Sequence, residues 1–159
     1  MKGSFLALNV RIGPTIMRSR CPDGHEQVPQ SARDLRGEFD GRATILHGDG
    51  SKMSLPDNEF SSVVCFTMLH HVPTRDVQDG IFSEALRVLG PGGVFAGSDS
   101  RLSIPFRVLH IGDTMNVVDP DELPERLRRA GFEDVEVTLR EGAFKFRARK
   151  PSAQQPSAR

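Results

Sequence analysis

"SSVVCFTM", residues 61–68, becomes almost continuously apolar from Val63 onward and runs straight into "LHHV", residues 69–72. A strand with one wet face alternates apolar and polar residues. A near-continuous apolar run is what a strand covered on both faces requires, as in a parallel sheet. The two adjacent histidines are then either chemistry or the polar mouth of a buried strand, and the surrounding segments bear on which. Upstream, "ATILHGD" (43–49) reads as another strand, and "LPDN" (55–58) supplies turn chemistry, with Pro56 presetting φ and Asp57 and Asn58 tolerating the bend. Downstream, Thr74 can cap a helix over about 75–89 whose core stripe is Val77, Ile81, Ala85 and Val88, broken by "GPGG" (90–93).

The remaining segments continue this alternation. "GVFAGSDS" (93–100) predicts a strand. "DPDELPERLRRAGF" (119–132) carries a capping signature with Asp119 at the cap, Pro120 at the first helical position and Glu122 at the third. Leu123, Leu127 and Ala130 face inward in that helix, and Gly131 ends it. "VEVTLREGAFKFRAR" (135–149) predicts a hairpin turning at Glu141-Gly142. Nearer the start, Ser31 can cap a short helix presenting Ala32, Leu35 and Phe39, stopped by Gly41. Strand, helix, strand, helix and a closing hairpin make an α/β doubly wound pattern. Residues 101–118 exceed a plain connector. With Pro105, Phe106, Leu109, Ile111 and Met115 they suit either a lid over an apolar ligand or an insertion packed on the sheet edge.

Composition bounds the rest. A chain of 159 residues suits one domain. Acids and bases balance at 21 each, so no global field argues for nucleic acid or an acidic membrane surface. No apolar run approaches the roughly 20 residues that span a bilayer. Cys21 and Cys65 lie far apart without a CxxC, and read as reduced thiols of a cytoplasmic protein, Cys65 buried in its strand. "MKGSFLALNVRIGPTIMRSR" is basic and acid-free, but its apolar stretch is broken at Asn9 and Arg11. Residues 1–30 are therefore read as a poorly ordered lead-in, 31–150 as the domain, and the Pro/Ser/Gln-rich 151–159 as a disordered tail.

Four segments in this order, "GD" at 48–49, "LPDNEF" at 55–60, "LHHV" at 69–72 and "EALRVLGPGG" at 84–93, resemble the class I S-adenosylmethionine (SAM)-dependent methyltransferases. The likeness is to the small-molecule group related to the ubiquinone and menaquinone C-methyltransferases, and covers roughly residues 31–150. It implies a Rossmann-like fold, SAM as cofactor, and ligands bound beyond the carboxyl ends of the strands. Asp49 would accept from the adenine amino group and the Gly50 amide would reach the ring, although Asp-Gly is also plain turn chemistry. Thr67 and Met68 would hold the methionine end of SAM through their backbone. His70 and His71 lie where cofactor and acceptor would meet. Adjacent histidines rarely share one ion, so no metal is expected. His70 is kept as a pocket residue rather than a catalytic one, beside the plainer reading of a structural histidine.

One part of the resemblance is missing. The family's first βαβ unit carries a Gly-rich turn against the methionine and ribose, then an acidic residue ending the second strand and accepting from the ribose hydroxyls. Residues 1–42 contain no acidic-x-Gly-x-Gly pattern after a strand. "CPDGHEQVPQ" (21–30) has Asp23, Gly24 and Glu26, but prolines flank them. In the family's order the first two strands lie between "ATILHG" and "SSVVCF". Their loss would leave an incomplete sheet with an open apolar edge that invites self-association. The expected function is SAM-dependent methyl transfer to a small apolar molecule, with weak or partner-dependent SAM binding. The alternative is a non-catalytic methyltransferase remnant acting as a binding or dimerisation module.

Overall fold

The computed structural model describes residues 5–9, 13–18, 44–47, 49–101 and 116–152. Seven strands form one sheet: β1 (Phe5–Asn9), β2 (Gly13–Arg18), β3 (Thr44–His47), β4 (Phe60–Phe66), β5 (Leu89–Ser100), β6 (Glu133–Arg140) and β7 (Ala143–Arg149). Among the described residues two α-helices accompany them, α1 (Arg75–Val88) and α2 (Leu123–Ala130), with a 3-10 turn at Leu69–His71. The sheet order is β3-β2-β1-β4-β5-β7-β6.

β4 and β5 pair in parallel, Val63 opposite Phe95 and Cys65 opposite Gly97. β7 then pairs antiparallel with β5, and β6 antiparallel with β7 through a turn at which Gly142 takes φ 68°. This is the hairpin the sequence predicts, and its turn needs the one residue without a Cβ penalty at positive φ. Thr74 caps α1 as expected, accepting from the Val77 N–H at 3.3 Å. α1 ends directly in β5, so "GPGG" lies inside the strand, where the register with β4 shifts between Phe60 and Ser62. α2 starts one turn later than the capping signature implies. Asp119 holds a preceding turn instead, its carboxylate accepting from Asp121 N–H and its carbonyl from Leu123 N–H. Two prolines fit a first helical turn, and the helix uses Pro124 rather than Pro120. Gly131, at φ 105°, stops it as read.

α1 and α2 pack on the same face of the sheet. Phe95 of β5 sits at the centre, its ring 5.0–6.1 Å from those of Phe82, Phe132 and Phe146. Removing such a ring typically costs about 3–5 kcal/mol. Gly97 is also constrained: an added Cβ would lie 2.0 Å from the Cys65 carbonyl and 2.8 Å from the Phe146 ring. β4 reads as covered on both faces, but among the described residues only one face is fully packed. Val63 and Cys65 are buried, Val64 is half-buried and Phe66 is 53% exposed. Both described helices bury the same side.

The N-terminus adds two strands to this sheet. Residues 5–9 and 13–18, placed by the sequence in a lead-in outside the fold, form two strands between β3 and β4. β2 pairs in parallel with β3, Arg18 opposite His47, and β1 pairs antiparallel with both β2 and β4, Leu6 opposite Val64. The break at Asn9 and Arg11 that argued against an apolar element marks the junction of two strands. No gap therefore separates β3 from β4. The helix expected at 31–39 and most of the 101–118 segment lie outside the described residues.

This arrangement predicts that the amides of Leu6, Ala7 and Leu8, bonded to a strand on each side, exchange with solvent as slowly as those of β4. Hydrogen exchange read by mass spectrometry on peptides covering 1–20 checks it. Free exchange there would remove β1 from the sheet.

Candidate cofactor site

β2, β3, β4 and β5 point the same way, so their carboxyl ends share one edge of the sheet. Ligands of open α/β sheets bind at that edge. Three segments there carry chemistry: Asp49-Gly50 after β3, the turn Thr67–His71 after β4, and Asp99–Arg101 at the end of β5.

Asp49 opens a tight turn. Its Oδ1 accepts from the Ser51 N–H and hydroxyl, each at 2.8 Å, and its carbonyl accepts from Lys52 N–H at 3.1 Å. Asp49 is exposed and Gly50 buried. The turn-forming reading is thus realised through one carboxylate oxygen, while Oδ2 stays outside the turn's hydrogen bonds. α1 fixes the position of this turn. Gly80, in mid-helix where glycine costs about 1 kcal/mol relative to alanine, lets Ser51 approach so closely that an added Cβ would lie 3.1 Å from the Ser51 Cβ. One turn on, Glu84 Oε2 accepts from Met53 N–H at 2.6 Å. Arg87 then donates to the carbonyls of Met53 and Leu55 at 2.9 and 2.8 Å, to Glu84, and to the Asp57 carboxylate. The Arg87 hydrogen bond holds the Glu84 carboxyl below its usual range, against the opposing effect of burial, and the Glu84 and Asp57 carboxylates raise the Arg87 guanidinium further.

The second segment is backbone under constraint. Thr67 takes φ 47°, a left-handed conformation that is a genuine outlier for a β-branched residue. Its N–H donates to the Ser98 carbonyl at 2.8 Å. Met68 and Leu69 are buried behind it. Gln78 of α1 donates to the carbonyls of Leu69 and Asn116 at 2.9 and 2.8 Å, and takes Arg126 Nη2 of α2 at 2.9 Å on its own carbonyl. Arg126 is itself buried, paired with Asp79 and lying 5.2 Å over the Phe82 ring. His70 is 3% exposed. Its Nδ1 makes a short contact with Asp99 Oδ1, its N–H donates to Asp99 Oδ2 at 3.1 Å, and its ring lies tilted against that of His71, centroids 4.0 Å apart.

The structure thus collects Thr67, Met68 and His70 on one turn and Asp49 with Gly50 on another, both braced by α1. Sequence reading missed Asp99, Gln78 and Arg126. Asp99 had a signal: in "GVFAGSDS" it shares the inward face with Phe95 and Gly97, an odd place for an acid unless something pairs with it. Gln78 of α1 and Arg126 of α2 left no such mark. Cys65, beneath Asp99, is buried as expected, and burial followed by the Asp99 charge pushes its thiol well up. Among the described residues no cluster of His, Cys, Asp or Glu could hold a metal ion, and no helix is long and apolar enough to cross a membrane.

The chain matches the family model described as a methyltransferase domain over residues 8–97, more than half its length, and it belongs to that family. The match begins within β1, in the stretch read as a lead-in. The sterol 24-C-methyltransferase of Yarrowia lipolytica is 42% identical over 57 residues, which are 36% of this chain and 14% of that protein. The "Probable S-adenosylmethionine-dependent methyltransferase" of Mycolicibacterium smegmatis is 35% identical over 105 residues, 62% of this chain and 38% of that one. The chain spans less than half the length of either. Among solved structures, phosphoethanolamine N-methyltransferase 2 of Haemonchus contortus, in complex with SAM, aligns with TM-score 0.63 at 18% identity over 76% of this chain and 40% of that one. The [4+2]-cyclase SpnF aligns with TM-score 0.65 at 19% identity over 87% and 67%. Both likenesses show the shared Rossmann-like α/β fold.

SAM, the cofactor of this class, fits part of the edge. A carboxylate oxygen at Asp49 suits an exocyclic amine, and the left-handed turn at Thr67 exposes main chain where a methionine group would lie. The ribose side does not fit the expected pattern. β2 ends in Arg18, where the family places an acid, and β1 runs opposite to β4, so its carboxyl end lies away from the edge where β4 and β5 end.

The clamp gives a pH test. The Glu84 pKa is lower folded than unfolded, so its stabilisation is complete above about pH 4.3 and fades as pH falls through the folded value. Glu84→Gln should cost about 1.5–3 kcal/mol at pH 7, the worth of charged hydrogen bonds. Urea midpoints of the two proteins should draw together as pH falls from the unfolded carboxyl value through the lower folded Glu84 value. A gap independent of pH would remove the ionised Glu84–Arg87 pair from the account.

Proposed function

We propose that the chain binds SAM at the carboxyl edge of β3, β4 and β5 and transfers its methyl group to a small apolar acceptor. The observation that carries the reading is the pairing of family membership with this edge. The turn bearing Asp49 and the strained turn bearing Thr67 are both fixed by α1 before any ligand arrives. Bound SAM supplies a methyl group on a positively charged sulfur, ready for in-line displacement. The chain's own part is positioning and exclusion of water. Asp49 Oδ2 takes the adenine amine and the Gly50 amide reaches the ring. The main chain at Thr67 and Met68 holds the methionine end, with His70 behind it.

Two facts support an apolar acceptor. Residues 101–118 include Phe106, Leu109, Ile111 and Met115. Relatives such as the Yarrowia enzyme are named for a sterol, an apolar acceptor methylated at carbon. Incubation with methyl-tritiated SAM and a total lipid extract tests this: label should enter the organic phase, and label confined to water would count against an apolar acceptor.

Affinity should be modest, because the ribose lacks its acid. A lost charged hydrogen bond of about 1.5–3 kcal/mol weakens binding tenfold or more. Calorimetric titration of SAM should therefore give a dissociation constant of hundreds of micromolar or weaker. Asp49→Asn keeps the turn, since an amide oxygen can accept from Ser51, but turns a donor toward the adenine amine. It should weaken binding about tenfold further. Unchanged affinity in Asp49→Asn would remove Asp49 from the site.

A further inference from the structure

Asp99 is a buried carboxylate that the cofactor contacts above do not use. It is 1% exposed and shares the inward face of β5 with Phe95 and Gly97. A carboxylate there is destabilising unless its lone pairs are taken up. They are, in a pattern that selects the residue type. Oδ2 accepts the His70 N–H at 3.1 Å, while Oδ1 accepts the Ser100 N–H at 2.7 Å and faces His70 Nδ1. Two backbone donors approach two different oxygens. A carboxamide cannot serve both, because its NH₂ meets a backbone N–H whichever way it is turned. The same contact directs the Nδ1 proton of His70 toward Asp99.

What this carboxylate grips is the turn after β4. Thr67 holds its left-handed φ of 47° at one end, and His70 is fixed three residues later. Asn116 N–H to the His70 carbonyl at 2.9 Å and Gln78 to the Leu69 carbonyl complete the grip. Strain of this kind persists only where the surroundings over-determine it, and it concentrates at ligand sites. We propose that Asp99 is a positioning residue of the cofactor site: acting through His70, it holds the Thr67–Met68 main chain in the left-handed turn that receives the methionine end of SAM. The proposal rests on the SAM reading above.

Glycine adopts φ near 47° without strain, so Thr67→Gly makes the turn less dependent on its clamp. That separates positioning from mere core packing. S-adenosylhomocysteine is titrated calorimetrically into the wild type, Asp99→Asn, Thr67→Gly and the double variant, each confirmed folded by circular dichroism. Asp99→Asn should bind at least tenfold more weakly than wild type. In the Thr67→Gly background, Asp99→Asn should cost less than threefold. Equal factors in both backgrounds, or Asp99→Asn within threefold of wild type, would overturn the positioning role while leaving the cofactor reading intact. A wild type that takes up no ligand would remove the cofactor reading, and this inference with it. Should Asp99→Asn fail to fold, His70→Phe replaces it under the same thresholds, since it keeps the backbone N–H to Asp99 and removes only the ring.

Discussion

Arg87 ties the structure together at the point where most of it can come loose. Its guanidinium spends its donors on two main-chain carbonyls and two carboxylates, and so fastens the irregular stretch 53–57 to the last turns of α1. That stretch joins the Asp49 turn to β4. Without the clamp, the half-buried Met53 and Leu55 carbonyls would have to find other donors. Arginine alone suits the task, because its planar fork serves several acceptors at once and stays charged. At the same end of the sheet Lys150 donates to the Leu89 carbonyl at 2.6 Å and to Asn58 at 2.7 Å, closing the base where α1 passes into β5. α1 is therefore more than a cover for the sheet. Gly80, Glu84 and Arg87 hold one candidate ligand turn, and Gln78 and Asp79 connect the other to α2.

This explains why two of the sequence segments that carried the family likeness occur together. "LPDNEF" and "EALRVLGPGG" supply the two sides of the Arg87 clamp and of the crossover from α1 to β5. They are a structural unit, and they sit away from the carboxyl edge. Only "GD" and "LHHV" lie where a ligand would bind. The likeness thus read the fold more directly than it read the site.

Elements whose local chemistry is self-contained were legible. Thr74 caps α1, Gly131 ends α2 and Gly142 turns the final hairpin because each position needs that residue type whatever surrounds it. The start of α2 was misplaced because both Pro120 and Pro124 fit a first turn, and only packing chooses between them. β1 and β2 were missed for a different reason. Five- and six-residue strands broken by Asn9 and Arg11 look like a polar lead-in until a sheet with a gap of two strands is available to receive them. At the candidate site, the partnership of His70 with Asp99 spans 29 residues and leaves no local trace.

β1 has a consequence for function that follows from direction alone. A strand filling the family's position in the sheet restores the hydrogen bonds of its neighbours whichever way it runs. It restores the Gly-rich turn beneath a cofactor only if its carboxyl end lies at the same edge as those of β4 and β5. Running antiparallel to β4, it meets the first requirement and not the second. Sheet continuity and ligand binding, which one strand serves together in the family pattern, are here separated.

What remains at the carboxyl edge suits a reaction that asks little proton chemistry of the protein. Cys65 is buried with its thiol pushed up, so it is no nucleophile at neutral pH. The His70 ring is committed to Asp99 through Nδ1. Among the described residues this edge also carries a carboxylate oxygen on Asp49, the amide of buried Gly50 and the main chain of the strained turn at Thr67. None of these needs to gain or lose a proton. All of them orient. Displacement of a methyl group from a sulfonium depends on in-line geometry and on keeping water away, where a fixed backbone contributes as much as an ionisable side chain would. The strain at Thr67 and the buried charge at Asp99 are both unfavourable to folding by themselves. Their coexistence at one turn is most simply understood as the cost of holding that geometry ready.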